Sequence, residues 1–255
     1  MTPLVPLLSG NTEPIALIVI LILGALVALF TLRARGGGRM ALRPLRVYQR
    51  LSELCSQATE SAATVFATLG SSAPEGSGMA SAQAALMLLR FVGRNIAHTG
   101  RPVRATTCDA ALLPAAQGTL TQAERSDGLR HPRTGSQISF AGPEPLGMAV
   151  EAECAMADDA PLANLMVGDV GAEALLLTEM HPGVIHYAGS DDPADGALLQ
   201  IAGDETVIGE DVLSGGAYLD RPMHMGSLVA QDTLRVVLMV AILVGVVAAS
   251  IGLWG

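Results

Sequence analysis

Two stretches of this chain, 15–32 and 236–254, hold no charged residue, while polar side chains regularly interrupt the apolar runs between them. At the α-helical rise each would extend about 27–29 Å, the thickness of a bilayer's hydrocarbon core. The pattern therefore predicts a transmembrane helix at either end. Glycines 36–38 predict a flexible joint that uncouples the first span from the rest of the chain. From Pro44 the apolar positions take the period of a half-buried helix. Leu45, Tyr48, Leu51, Leu54 or Cys55, Ala58, Ala62, Val65 or Phe66, and Leu69 recur every three or four residues. Arg46, Arg50, Glu53 and Glu60 fall on the opposite face. A Ser, Gly and Pro-rich loop over 71–78 and a second helix over 79–98, closed by Gly100 and Pro102, complete a predicted helical hairpin.

Beyond Pro102 short β-prone runs alternate with helical ones. Strands are predicted at 103–108, 137–140, 163–167, 184–188 and 206–208, and helices at 111–125, 145–157, 172–180, 193–201 and 210–219. Strand then helix, repeated without a long structureless loop, is the pattern of a parallel sheet with crossover helices. The expected fold class is α/β: a Rossmann-like, mostly parallel sheet with flanking helices, preceded by the hairpin. The domain layout is then a tail 1–14, a span 15–32, a Gly/Arg-rich linker 33–42, the hairpin 43–100, the α/β domain 101–220, a linker 221–235 and a span 236–254.

Charge sharpens this layout. The segment before the first span carries Glu13 and no base, unlike the basic start of a secretory signal, so the span reads as an anchor. Arg33, Arg35, Arg39, Arg43, Arg46 and Arg50 come after it, and Arg221 and Arg235 precede the second span. The positive-inside rule places residues 33–235 in the cytoplasm and both termini outside, in an inner or plasma membrane. Between 33 and 133 thirteen arginines stand against six carboxylates; between 134 and 220 there are sixteen carboxylates and no base. Such a division suits a basic part held toward anionic headgroups and an acidic part turned to the cytosol or to a neighbouring subunit.

Composition also excludes. All fifteen basic residues are arginine, which removes Schiff-base lysines and the lysine of a P-loop. A net charge of −9 with 3% aromatic residues speaks against nucleic-acid binding. Cys55, Cys108 and Cys154 lack metal or redox spacing, and His98, His131, His181, His186 and His224 form no ligand pair, so no metal site is assigned. Neither span holds an ionisable residue, which argues against an ion path. Ala241, Gly245 and Ala249, like Gly24 and Ala28, fall four apart and suit close helix packing.

The phrases NLMVGDVGAEALLLTE (164–179), IGEDVLSGGAYLDRPMHMGSLVAQD (208–232) and GNTEPIALIVILIL (10–23) resemble a family of uncharacterised prokaryotic membrane proteins, catalogued only as a domain of unknown function. The resemblance implies two membrane segments around a cytoplasmic domain. It brings no activity and no catalytic residue.

Ligands of open parallel sheets sit outside the carboxyl ends of the strands. Asp109, Gly168, Asp169, Gly171, Ser190 and Asp191, with Asp192 beside them, fall there and form the candidate ligand crevice. Its glycines allow close backbone approach, but Gly168-x-x-Gly171 lacks the three-glycine dinucleotide fingerprint and Asp169 would repel a phosphate. Oxygen ligands suit Mg²⁺ or Ca²⁺, yet Asp and Ser at strand-to-helix turns also cap helices. No catalytic residue and no cofactor are specified, because no nucleophile or base has a recognisable partner and no G-x-S-x-G elbow exists. The expected function is a membrane-anchored scaffold or assembly subunit that contacts lipid and self-associates. The alternative is a regulatory module binding a nucleotide or divalent cation at the sheet's carboxyl edge, and an enzyme ranks last.

Overall fold

A computed structural model describes residues 43–71, 78–101, 103–126 and 137–219, with scattered positions between 21 and 32 and between 229 and 243. The chain divides into two compact units, Pro44–Asp220 and a second comprising Met1–Arg43 with Arg221–Gly255. In the second unit the described positions within 21–32 and 229–243 are helical, and Leu21, Leu32, Val236, Leu238, Met239 and Leu243 stand exposed. Among the described residues no helix is long and apolar enough to cross a membrane. The predicted tail 1–14, spans 15–32 and 236–254, and linkers 33–42 and 221–235 lie wholly or largely outside the described residues.

The unit Pro44–Asp220 contains, in chain order, α1 (Arg46–Ser61), β1 (Val65–Leu69), α2 (Met79–Ile96), β2 (Arg104–Thr107), α3 (Leu112–Ser126) and β3 (Ile138–Phe140). Next come α4 (Pro145–Asp159), β4 (Ala163–Val167), α5 (Glu173–Met180), β5 (Ile185–Ser190), α6 (Pro193–Ala202), β6 (Glu205–Ile208), α7 (Glu210–Leu213) and α8 (Gly215–Leu219). The six strands form one sheet in the order β3-β2-β1-β4-β5-β6, every neighbouring pair parallel. This is the doubly wound order, reversing between β1 and β4.

The hairpin expected over 43–100 is corrected. Its first helix ends at Ser61, and Val65–Leu69 is a strand at the centre of the sheet, paired to β2 and to β4. All five residues of β1 are buried. A strand covered on both faces reads as a continuous apolar run, and five such residues also satisfy a helical period. The usual stop signal is missing too. Ala62, not glycine, closes α1 in the left-handed conformation (φ 50°, ψ 39°), its N–H donating to Ala58 O. The same device ends α4, where Ala160 (φ 44°) donates to Met156 O at 2.8 Å before β4 begins. The predicted helix 210–219 is likewise broken at Ser214, whose hydroxyl donates to Asp211 O at 2.7 Å.

Alternation along the strands sorts the helices into two layers. Val65, Ala67, Leu69, Leu165 and Val167 pack with α1, α2, α3 and Val212 of α7, while Phe66, Met166 and Ala188 pack with α4, α5 and α6. Tyr48 joins the beginning of this unit to its end. Its hydroxyl donates to the carbonyls of Asp211 and Val212 (2.7 and 3.1 Å), and its ring stacks on Tyr218 at 5.3 Å between centroids.

A left-handed conformation costs an L-residue about 1–2 kcal/mol, partly offset for alanine by its stiffer unfolded chain. Ala62→Gly and Ala160→Gly should therefore each stabilise the protein by up to about 1 kcal/mol. Denaturant unfolding of the full chain checks this; a loss of stability in both variants would contradict it.

Candidate functional site

The reversal of strand order leaves β1 and β4 side by side with their following helices on opposite layers, and their carboxyl ends are the place to seek a site. The two loops are laced together there. Gly70 N donates to Val167 O (3.3 Å), Ser71 N to Asp169 O (2.9 Å), and the Ser71 hydroxyl to Asp169 Oδ2 (2.7 Å). A Cβ on Gly70 would lie 2.0 Å from Asp169 O, so only glycine permits the approach. Gly168, at φ 113°, turns the chain while its N–H donates to Gly189 O at 3.1 Å.

The six candidate residues share this edge but do different work. Asp169 sits at the reversal point beside Gly171, whose N–H donates to Glu173 Oε1 at 2.9 Å. Asp191 Oδ1 accepts from the Ser81 hydroxyl of α2, tying the end of β5 to the helix after β1. Ser190, fully buried, accepts from Asp192 N at 3.1 Å, and Asp192 caps α6 through Ala194 N at 2.7 Å. Asp109 stands apart beyond β2 and caps α3, accepting from Ala111 N and Leu112 N at 2.8 and 2.7 Å. Its carboxylate is thus used as a helix cap.

Residues that sequence reasoning passed over complete the edge: Gly70, Ser71, Ser81, Glu173 and Asp195. Desolvation pushes Asp195 up to about 6, reinforced by its hydrogen bond with Asp169 and by the charges of Asp169, Asp192 and Glu173. Below about pH 6 Asp195 therefore holds a proton that it can donate to Asp169. The run VFATL followed by Gly70 and a Ser/Gly-rich loop was the available signal for the first three, a strand leading through glycine into a helix.

The edge is chemically one-sided. Asp169, Glu173, Asp191, Asp192 and Asp195 face the loops after β4 and β5, and 134–220 contains no arginine or lysine. A bare pyrophosphate would meet carboxylates at close range. Among the described residues no group of three or more His, Cys, Asp or Glu is arranged to hold a metal ion.

The opposite, amino edge is polar as well. A recess of about 350 Å³ between α1 and the starts of β5 and β6 has Arg50 3.6 Å from Glu205. Beneath α4, His181 Nε2 lies 3.0 Å from Glu153 Oε2, close enough for charge attraction although not aligned as a hydrogen bond. Burial pushes Glu153 up and holds His186 down, leaving His186 a neutral core histidine near His181 O (3.2 Å).

Fold and site together define a doubly wound α/β protein whose carboxyl edge is crowded with structurally committed carboxylates. The chain belongs to the family described as "Domain of unknown function (DUF6754)", whose model matches residues 9–254. It matches no curated protein and no solved structure.

Gly70→Ala should destabilise by at least about 1–3 kcal/mol, the cost of overpacking against backbone that cannot move alone. Thermal unfolding of the variant checks it. Asp195 binds its proton more tightly folded (about 6) than unfolded (3.8), so its contribution is full below about pH 4 and is lost as pH rises through about 6. Asp195→Asn should raise the unfolding midpoint at pH 7 and flatten its fall between pH 4 and 6. A parallel, undiminished fall in the variant would refute the raised proton affinity of Asp195.

Proposed function

We propose that this protein is a membrane-anchored scaffold or assembly subunit: an α/β unit held in the cytoplasm between two single spans, contacting lipid and associating with further copies of itself. The observation that carries the reading is the Tyr48 clasp. Tyr48 lies four residues after Pro44 and Tyr218 two before Asp220, and their stacked rings hold the two ends of the unit together. A domain whose flanking segments enter one bilayer needs its ends close, and a long flexible connection would otherwise have to span it. Charge supports the same reading, with arginines dense after the first expected span, Arg221 and Arg235 before the second, and carboxylates filling 134–220. The carboxyl-edge acids act as caps and loop ties, which suits a structural role.

A second reading, a module binding a divalent cation or a nucleotide brought with one, is favoured by the raised proton affinity of Asp195 at the reversal point, since perturbed carboxylates in a crevice attract cations. A raised unfolding midpoint with Mg²⁺, Ca²⁺ or Mg²⁺-nucleotide would support it, and an unmoved midpoint across all three would remove it.

The thiols provide a test of placement. Burial pushes Cys55 up to about 12 and Cys108 to about 11, while Cys154 is exposed. A membrane-impermeant maleimide should therefore label Cys154 alone, and only after cells are permeabilised. Labelling in intact cells would overturn the cytoplasmic assignment. Native mass of the full chain in detergent at low salt should show oligomers, and a strictly monomeric species would remove the scaffold reading.

A further inference from the structure

The sheet separates charge as well as helices. Helices α1–α3 on one layer carry five arginines (Arg46, Arg50, Arg90, Arg94, Arg125) against three glutamates, whereas α4–α6 on the other carry seven carboxylates and no base. The α4–α6 side also displays uncovered apolar surface. Along α4, Leu146 (64% exposed), Val150 (51%) and Cys154 recur four apart, and Ile201 at the end of α6 is 78% exposed. Glu151 and Asp158 flank the α4 stripe.

We infer that the α4–α6 side docks on the arginine-bearing α1–α3 side of a second copy, so that copies associate head to tail. This rests on the self-association proposed above and names its surfaces. A two-fold contact of α4 on α4 would bring carboxylates against carboxylates around the stripe, and like charges at short range oppose it. An arginine-bearing partner resolves both features at once. Its aliphatic stems cover Leu146 and Val150, and its guanidinium groups meet Glu151 and Asp158. Because the two surfaces differ and lie on opposite sides of one sheet, each copy can engage two neighbours, which yields a ring or an open array and not a dimer.

The test uses the full chain in its membrane and the exposed Cys154 as a reporter. Mild oxidation of the unmodified protein should give no disulfide-linked dimer. Gln122→Cys, on the exposed surface of α3, should give a ladder of linked dimers, trimers and higher species. Glu151→Arg with Asp158→Arg should abolish the ladder and the low-salt oligomer, and adding Arg94→Glu with Arg125→Glu should restore both. The restoration separates lost docking from lost folding. A Cys154–Cys154 dimer in the unmodified protein overturns the head-to-tail contact. So does an oligomer that persists unchanged through the charge reversals, although either result leaves self-association standing. A monomer under every condition removes both proposals.

Discussion

The parallel pairing of β1 with β4 is the contact on which the rest of the architecture hangs. Everything before β4 winds outward from β1 toward β3, and everything after it winds outward in the other direction toward β6. The connection from β3 must therefore return across the sheet, and α4 makes that crossing, burying Met148, Ala149, Ala152 and Met156. This one pairing produces the two helical layers, the reversal point at Gly70 and Asp169, and the meeting of Ser81 with Asp191. The seam has no room for a side chain at its carboxyl end, since the Gly70 and Asp169 backbones are in contact. Strain is accepted to make it, in left-handed alanines at Ala62 and Ala160 just ahead of the two paired strands.

That seam also fixes what the carboxyl edge can do. In dinucleotide-binding proteins of this architecture the first loop leaves room for a pyrophosphate on a helix N-terminus. Here Ser71 instead bonds Asp169 across the seam, and Ser81 in the first turn of the following helix bonds Asp191. Hydroxyls that would solvate an anion are given to carboxylates. Burial, with the charges of Asp169, Asp192 and Glu173 around it, raises the proton affinity of Asp195. The edge is thus held together by internal hydrogen bonds that a phosphate would have to displace.

How much of this was legible beforehand depended on whether a segment's pattern was unambiguous by itself. The strand 163–167 is read without error, because a Gly-Asp turn comes after it and Pro161 precedes it. Helices α4 and α6 are legible from Pro145 and Pro193 at their first turns. The strand β1 was not, since Val65–Leu69 fits both a helical stripe and a buried strand, and Ala62 gave no glycine to mark the break. The site suffered from the same ambiguity. Asp169 and Asp191 could be placed at strand ends from sequence, but Ser71 and Ser81 could not be assigned to them without knowing that β1 lies beside β4. Asp109 was placed on the correct edge with a helix cap as one of its readings, and its hydrogen bonds to Ala111 N and Leu112 N establish the cap.

The placement of Tyr48 and Tyr218 relates this fold to its proposed tethers. Aromatic residues are scarce in this chain, 3% overall, so two of its three tyrosines meeting in one stack represent a large share of what it has available. Burial pushes the Tyr48 phenol well above its ordinary range, so it stays a neutral donor to the Asp211 and Val212 carbonyls. Both carbonyls belong to α7, the four-residue helix after β6, whose buried side chain is Val212. Tension between two membrane segments would act first on the first and last helices of the unit, α1 and α8. A stacked pair with two buried hydrogen bonds at that point transfers such a load from one end directly to the other and spares the sheet. On the proposed layout, the clasp would let a layered α/β unit be held from both ends without opening its edge strand β6.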